Sequence, residues 1–158
     1  MKLLNFKAYI TKHEGSRLKV YLDSLGIPTI GVGFCLARAG ARESITAVGA
    51  DYDKILAGTL VLTLDQIDKL LNDDIKDCVD DLHKLFLNFD KMPQEARSVL
   101  VDMRFQLGPT RIRKFANTMN AFRDGKWKDA ANGIKNSAMY KQVSVRCDEN
   151  IALLNSIK

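Results

Sequence analysis

The sequence predicts an α+β fold, with a small antiparallel sheet early and a mostly helical second half. Three observations carry this. Residues 17–33 alternate and are broken by turn residues, which gives them β character. Thr63-Leu64-Asp65-Gln66 is a capping box that opens the longest helical stripe in the chain. Helical periodicity then recurs from Pro93 toward the C-terminus. The chain has 158 residues, 46% of them hydrophobic. That is the size of one domain, which buries roughly 68–70% of its unfolded-chain surface.

The elements follow in order. Phe6, Tyr9, Ile10 and His13 recur at helical spacing, giving a short amphipathic helix over Asn5–His13 with Asn5 as its N-cap. Leu18 and Val20 then alternate with Arg17, Lys19 and Tyr21. Ser24-Leu25-Gly26 signals a turn, and a second β run covers Thr29-Ile30-Gly31-Val32-Gly33. Together these read as a hairpin or meander, and the glycine pair points to close backbone approach. Asp51 to Leu56 forms a turn or more of helix closed by Gly58. After the capping box, Leu64, Ile67, Leu71, Ile75, Val79 and Leu82 form one stripe, with seven Asp between 65 and 81 read as a solvated face. Pro93 suits the first turn of a helix running to about Leu107, stopped by Gly108-Pro109. Further helical stretches fall near 112–123, 125–135 and 144–156. Phe86, Phe89, Phe115, Phe122 and Trp127 read as core, Trp127 because it falls on an apolar helical stripe.

Composition excludes disorder and low complexity. No apolar run reaches the roughly 18 residues of a membrane span, and the N-terminal apolar stretch is too broken for a signal peptide. Cys35, Cys78 and Cys147 are scattered, and His13 and His83 lie far apart, so no metal site is expected. The net charge of +5 is uneven. Residues 1–81 carry 10 Lys and Arg against 12 Asp and Glu, net −2; residues 82–158 carry 14 against 7, net +7. A basic half favours a polyanionic partner, nucleic acid or bacterial envelope, or is simply a solvated surface.

Glu14 ends the first helix, Asp23 lies nine residues on at the hairpin turn, and Thr29 six residues beyond it. Two carboxylates near one turn have the chemistry of glycoside cleavage: one acid for the leaving oxygen, one base for a water. On spacing alone, local roles at a helix end and in a turn are the better reading, because charged residues make up about a quarter of ordinary chains.

The flanking residues change that. His13-Glu14-Gly15-x-Arg17-Leu18-x-x-Tyr21-x-Asp23, followed by Gly26-x-Pro28-Thr29-Ile30-Gly31-x-Gly33, resembles the phage-type lysozymes, muramidases of glycoside hydrolase family 24. The resemblance continues through Thr63–Gln66, Met103-x-Phe105-Gln106-Leu107-Gly108, Phe115-x-Asn117-Thr118, Lys126-Trp127-x-x-Ala130-Ala131 and Tyr140-x-Gln142-x-x-x-Arg146.

The resemblance implies a lysozyme-like fold: one catalytic domain over 1–158, with a β-lobe at about 14–62, a connecting helix at about 63–84, and a helical lobe of 1–13 and about 85–158. It implies hydrolysis of peptidoglycan at the β-1,4 bond between N-acetylmuramic acid and N-acetylglucosamine, with inversion. Glu14 is then the general acid, and Asp23 and Thr29 position the water. Gly33, Leu36, Phe105, Thr118 and Gly133 line the sugar site, with Gln106 and Arg146 supporting. Arg146 corresponds to an arginine that pairs with the catalytic Glu. No cofactor or nucleic acid is expected. A monomeric endolysin, made in the host cytoplasm without a membrane anchor and released by a separate holin-type protein, is the expected setting; a tail-associated lysozyme usually belongs to a longer chain.

Two departures from the family stand out. Phe34 occupies the place of a histidine that pairs with an acid on the long helix, at the position of Asp74, so that pair is expected to be absent. Gly133 replaces an asparagine that contacts substrate. Arg111, Arg113 and Lys114 form a basic cluster suited to anionic wall polymer or to surface solubility. Two alternatives differ in chemistry. A lytic transglycosylase needs neither Asp23 nor Thr29, and a non-catalytic basic binding protein has no nucleic-acid signature here.

Overall fold

The computed structural model describes residues 3–158, with side chains from Phe6 onward. The fold is α+β, as expected: the described residues form helices α1 to α9 and one three-stranded antiparallel sheet in the order β1-β2-β3. The described residues divide into two compact units, residues 7–76 and residues 3–6 with 77–158.

Helix α1 (Leu3–Glu14), in the first unit from Lys7 onward, leads into the sheet. The helix already runs at Leu3, so Asn5 lies inside it and does not cap it; the Asn5 side chain lies outside the described residues. Strands β1 (Arg17–Leu22), β2 (Pro28–Gly31) and β3 (Phe34–Cys35) form a meander. Tyr21 pairs with Thr29, and Thr29 in turn with Cys35. The second β run is shorter than expected. Gly31 and Gly33 take left-handed φ of 62° and 65°, which turns the chain back after Gly31.

Helix α2 (Ala41–Ala47) is absent from the sequence reading. Its buried residues are only Ala41 and Ile45, a single i, i+4 pair, and no side chain caps it. Helix α3 (Tyr52–Ala57) is capped by Asp51, whose carboxylate accepts from the Lys54 N–H at 3.0 Å, and is closed by Gly58 at φ 79°. The capping box forms as read: Thr63 N–H donates to Gln66 Oε1 at 2.9 Å, and Gln66 N–H to Thr63 Oγ1 at 3.1 Å. It starts α4 (Leu64–Leu85), whose residues extend from the first unit into the second. Of the expected stripe, Ile67, Leu71, Ile75 and Leu82 are buried. Leu64 is exposed because it sits in the first turn, and Cys78 rather than Val79 completes the buried face.

In the second unit, a 3-10 turn at Phe89–Lys91 precedes α5 (Gln94–Arg113). Pro93 stands at the N-cap, not inside the first turn. Gly108 breaks the helix with φ 79° and ψ 173°, but Pro109 restarts it for one more turn, since proline is pre-set for a first helical position. Helices α6 (Ala116–Arg123), α7 (Trp127–Lys135), α8 (Ala138–Gln142) and α9 (Ser144–Asn155) follow. Helix α8, capped by Ser137, is too short for periodicity to reveal. Helix α7 packs between α6 and α9, and α5 packs on α9. Phe86, Phe89 and Phe122 are core as expected, whereas Phe115 and Trp127 are only half-buried.

Among the described residues no helix is long and apolar enough to cross a membrane. The three cysteines are free, with Cys78 and Cys147 buried. Burial raises the Cys147 thiol above its ordinary value, with the Asp102 carboxylate adding to the shift.

Candidate active site

The Glu14 end of α1 meets the turn that joins β2 to β3. A Cβ on Gly33 would lie 2.9 Å from Glu14 Oε2 and 3.2 Å from its Cγ. Gly33 is therefore favoured by its left-handed backbone, and any side chain there displaces the Glu14 carboxyl group.

Asp23 and Thr29 are fixed by the hairpin. Asp23 Oδ1 accepts from the N–H groups of Leu25 at 2.8 Å and Ile27 at 2.9 Å, and the Asp23 N–H donates to Ile27 O at 3.0 Å. The turn thus spends one carboxylate oxygen on its own backbone. No described residue hydrogen-bonds the other, Oδ2. Thr29 is buried, and its hydroxyl donates to Ile27 O at 2.9 Å. With its proton committed, Thr29 Oγ1 meets a water as an acceptor.

The Tyr21–Thr29 pairing puts these two side chains on one face of the sheet, and Asp23 follows directly after the end of β1. The Arg17 guanidinium stacks 4.6 Å from the Tyr21 ring centre. Burial raises the Tyr21 phenol above its ordinary value; the nearby Glu14 carboxylate adds to this, Arg17 opposes it, and Asp23 adds again. The phenol therefore stays protonated, a donor within electrostatic reach of both carboxylates. The sequence motif contains Tyr21, but spacing alone gave it no role.

Leu36 does not present a side chain to a ligand. It is 1% exposed, packed as core, and its carbonyl accepts the Tyr52 hydroxyl hydrogen bond.

The remaining sequence-derived residues lie in the second unit. Phe105 and Gln106 are half-exposed on α5. Thr118 on α6 and Gly133 on α7 are brought together: a Cβ at 133 would overlap Thr118 Oγ1. Arg146 pairs with Asp102. Arg146 Nη2 donates to Asp102 Oδ1 at 2.7 Å and Nε to Oδ2 at 3.0 Å, while Asn150 donates to Oδ2 at 3.0 Å. Asp102 is fully buried. Sequence reasoning missed it, although a lone acid inside Val99-Leu100-Val101-Asp102-Met103 is a signal, since a buried carboxylate needs a partner. Among the described residues no cluster of His, Cys, Asp or Glu is placed to hold a metal ion.

Comparison with known proteins is decisive for the family. The phage lysozyme family model matches residues 11–145. The chain belongs to the phage lysozyme family. It is 26% identical over 149 residues to the pre-baseplate central spike protein Gp5 of Enterobacteria phage T4, covering 87% of this chain and 25% of that protein. It is also 22% identical to the probable T4-type lysozymes 1 and 2 of Dictyostelium discoideum, covering 96% of this chain and 94% of each. The chain thus spans about a quarter of the spike protein and nearly all of the amoebal lysozymes.

As a member of the phage lysozyme family the chain has a lysozyme-like α+β fold, and its departures from the family acquire a physical account. Phe34 cannot form an ion pair, yet Asp74 is not left solvated. Arg38 donates to it through both Nη atoms, at 2.6 and 3.2 Å, while its guanidinium lies 3.8 Å from the centre of the buried Phe34 ring. The arginine takes up the acid, and the phenylalanine supports the arginine from below. Asp81 departs from the solvated reading of the acidic stripe in the same way. It binds Arg104 at 2.7 Å and Arg113 at 2.6 Å, so Arg113 is a structural cation and not a free member of the basic cluster. At 133, a glycine is the residue that fits against Thr118.

Proposed function

We propose that this chain hydrolyses peptidoglycan at the β-1,4 bond between N-acetylmuramic acid and N-acetylglucosamine. Glu14, protonated, gives its proton to the leaving glycosidic oxygen as the bond to the muramic anomeric carbon breaks. A water donates its two O–H bonds toward Asp23 Oδ2 and Thr29 Oγ1, which aims its lone pair at that carbon; Asp23 takes the released proton, and the product is inverted. The observation that supports this best is the hairpin itself: one Asp23 oxygen anchored by two backbone N–H groups, the other without a described partner, beside a threonine whose hydroxyl proton is already committed. In this reading Gly33 serves sugar binding in the first unit, and Phe105, Thr118 and Gly133 in the second, with Gln106 and Arg146 supporting; Leu36, buried and with its N–H and carbonyl bonded to Pro28 and Tyr52, does not. No cofactor takes part.

The biological setting we infer is a monomeric endolysin, made in the host cytoplasm and reaching the wall once a holin-type protein has opened the membrane. Digestion of purified peptidoglycan by the chain and by Glu14→Gln, with products identified by mass spectrometry, tests the reaction. Hydrated reducing-end muramic acid, lost in the variant, is expected. Anhydro-muramic ends indicate a transglycosylase, and no product from folded protein overturns the hydrolytic reading.

A further inference from the structure

Trp127 is the chain's one tryptophan, and the sequence reading placed it in the core. It is instead half-buried, at the wall of a cleft of about 280 Å³ between the start of α7 and the end of α9. Phe122, fully buried, meets the indole edge-on with ring centres 6.2 Å apart, which fixes the orientation of the ring. Leu154 and Ile157 supply apolar surface, Asp129 and Asn155 supply hydrogen-bonding groups, and Lys126 and Lys128 are exposed cations at the same cleft.

We propose that this cleft is a second, non-catalytic binding site for an acidic N-acylated amino sugar of the wall polymer. The proposal rests on the wall-hydrolase reading for its choice of polymer. An amino-sugar ring has an apolar face that an indole covers and a rim of hydroxyl and amide groups that Asp129 and Asn155 can meet. The volume sits just below the roughly 300–1,000 Å³ of ordinary small-ligand sites, which suits one sugar residue and not a chain. Muramic acid carries a lactyl group, and its attached peptide bears free carboxylates. Those anions complement Lys126 and Lys128 and the basic character of residues 82–158, where 14 Lys and Arg face 7 Asp and Glu. Held there, the enzyme stays on an insoluble substrate between cleavage events.

Because Trp127 is the one tryptophan, its fluorescence reports this cleft directly. The full chain is titrated with muramyl dipeptide, which has no glycosidic bond between sugars to be cut, and with tri-N-acetylglucosamine as a neutral probe. A saturable change with muramyl dipeptide is expected, weakened about tenfold in Lys126→Ala/Lys128→Ala and weaker for the neutral sugar. Glu14→Gln is expected to titrate as the parent does. In a sacculus-pelleting assay, Glu14→Gln/Trp127→Phe is expected to bind less than Glu14→Gln, and Glu14→Gln/Asn155→Ala provides the same comparison if the aromatic change disturbs folding. An unsaturable response, equal affinity in the double-lysine variant, or loss of the response in Glu14→Gln overturns the proposal. A saturable response from a chain that digests no peptidoglycan keeps this site and rejects the hydrolytic reading instead.

Discussion

Gly33 and Glu14 are in such close contact that a single methyl group on the glycine would sit 2.9 Å from the Glu14 carboxylate oxygen. The backbone at Gly33 is also left-handed, at φ 65°, where an L-residue costs roughly 1–2 kcal/mol. Gly33→Ala therefore carries a modest stability cost and pushes the Glu14 side chain from its place. Misplacing a reacting group by about 1 Å costs about 100-fold in rate. Gly33→Ala is expected to clear wall suspensions at least about tenfold more slowly, with melting temperature lowered by only a few degrees. An unchanged clearing rate would mean that Glu14 does not act from this position.

Arg146 and Asn150 together neutralise and solvate a carboxylate that water does not reach. Removing one partner of a buried ion pair typically costs about 3–5 kcal/mol, because the remaining charge stays buried. Arg146→Ala is expected to fall in that range in urea denaturation. Asp102→Asn added to Arg146→Ala is expected to recover part of the loss by removing the stranded charge. A double variant less stable than Arg146→Ala would contradict this account.

Asp81 gives the acid-stability prediction. Its carboxyl is held down to about 2 by the Arg113 hydrogen bond first, then by Arg104, against some opposing desolvation. A depressed carboxylate stabilises the fold fully above its ordinary value of 3.8, and that contribution is lost as pH falls toward 2. Asp81→Asn is expected to be less stable at pH 7 by about 1–2 kcal/mol, discounted for solvent screening, with the difference shrinking between pH 4 and 2. Denaturant titrations across that range check it; a constant difference would remove the ionic explanation.

Gly133 and Thr118 yield a prediction in which background sets the sign. Alanine in a helix interior is normally favoured over glycine by about 1 kcal/mol. Here its Cβ overlaps Thr118 Oγ1, and such overpacking typically costs about 1–3 kcal/mol. Gly133→Ala is therefore expected to destabilise. In a Thr118→Ala background the penalty is expected to shrink or reverse, with a coupling of at least about 1 kcal/mol in the double-mutant cycle.

The sequence by itself determined what is local. The Thr63–Gln66 capping box, the Gly58 helix stop, the Ser24–Gly26 turn and the spacing of Glu14, Asp23 and Thr29 all act over fifteen residues or fewer, where backbone hydrogen bonds and side-chain period leave little choice. The same locality made the family legible, and with it the α+β fold. The tertiary structure decided the partners of the charges: Asp102 with Arg146 at a separation of 44 residues, Asp74 with Arg38 at 36, and Asp81 with Arg113 at 32. It also decided that Gly133 must remain small and that Trp127 faces a cleft. Ion pairs and close contacts of this kind depend on which surfaces folding brings within a few ångströms, and residue type and periodicity carry no record of that.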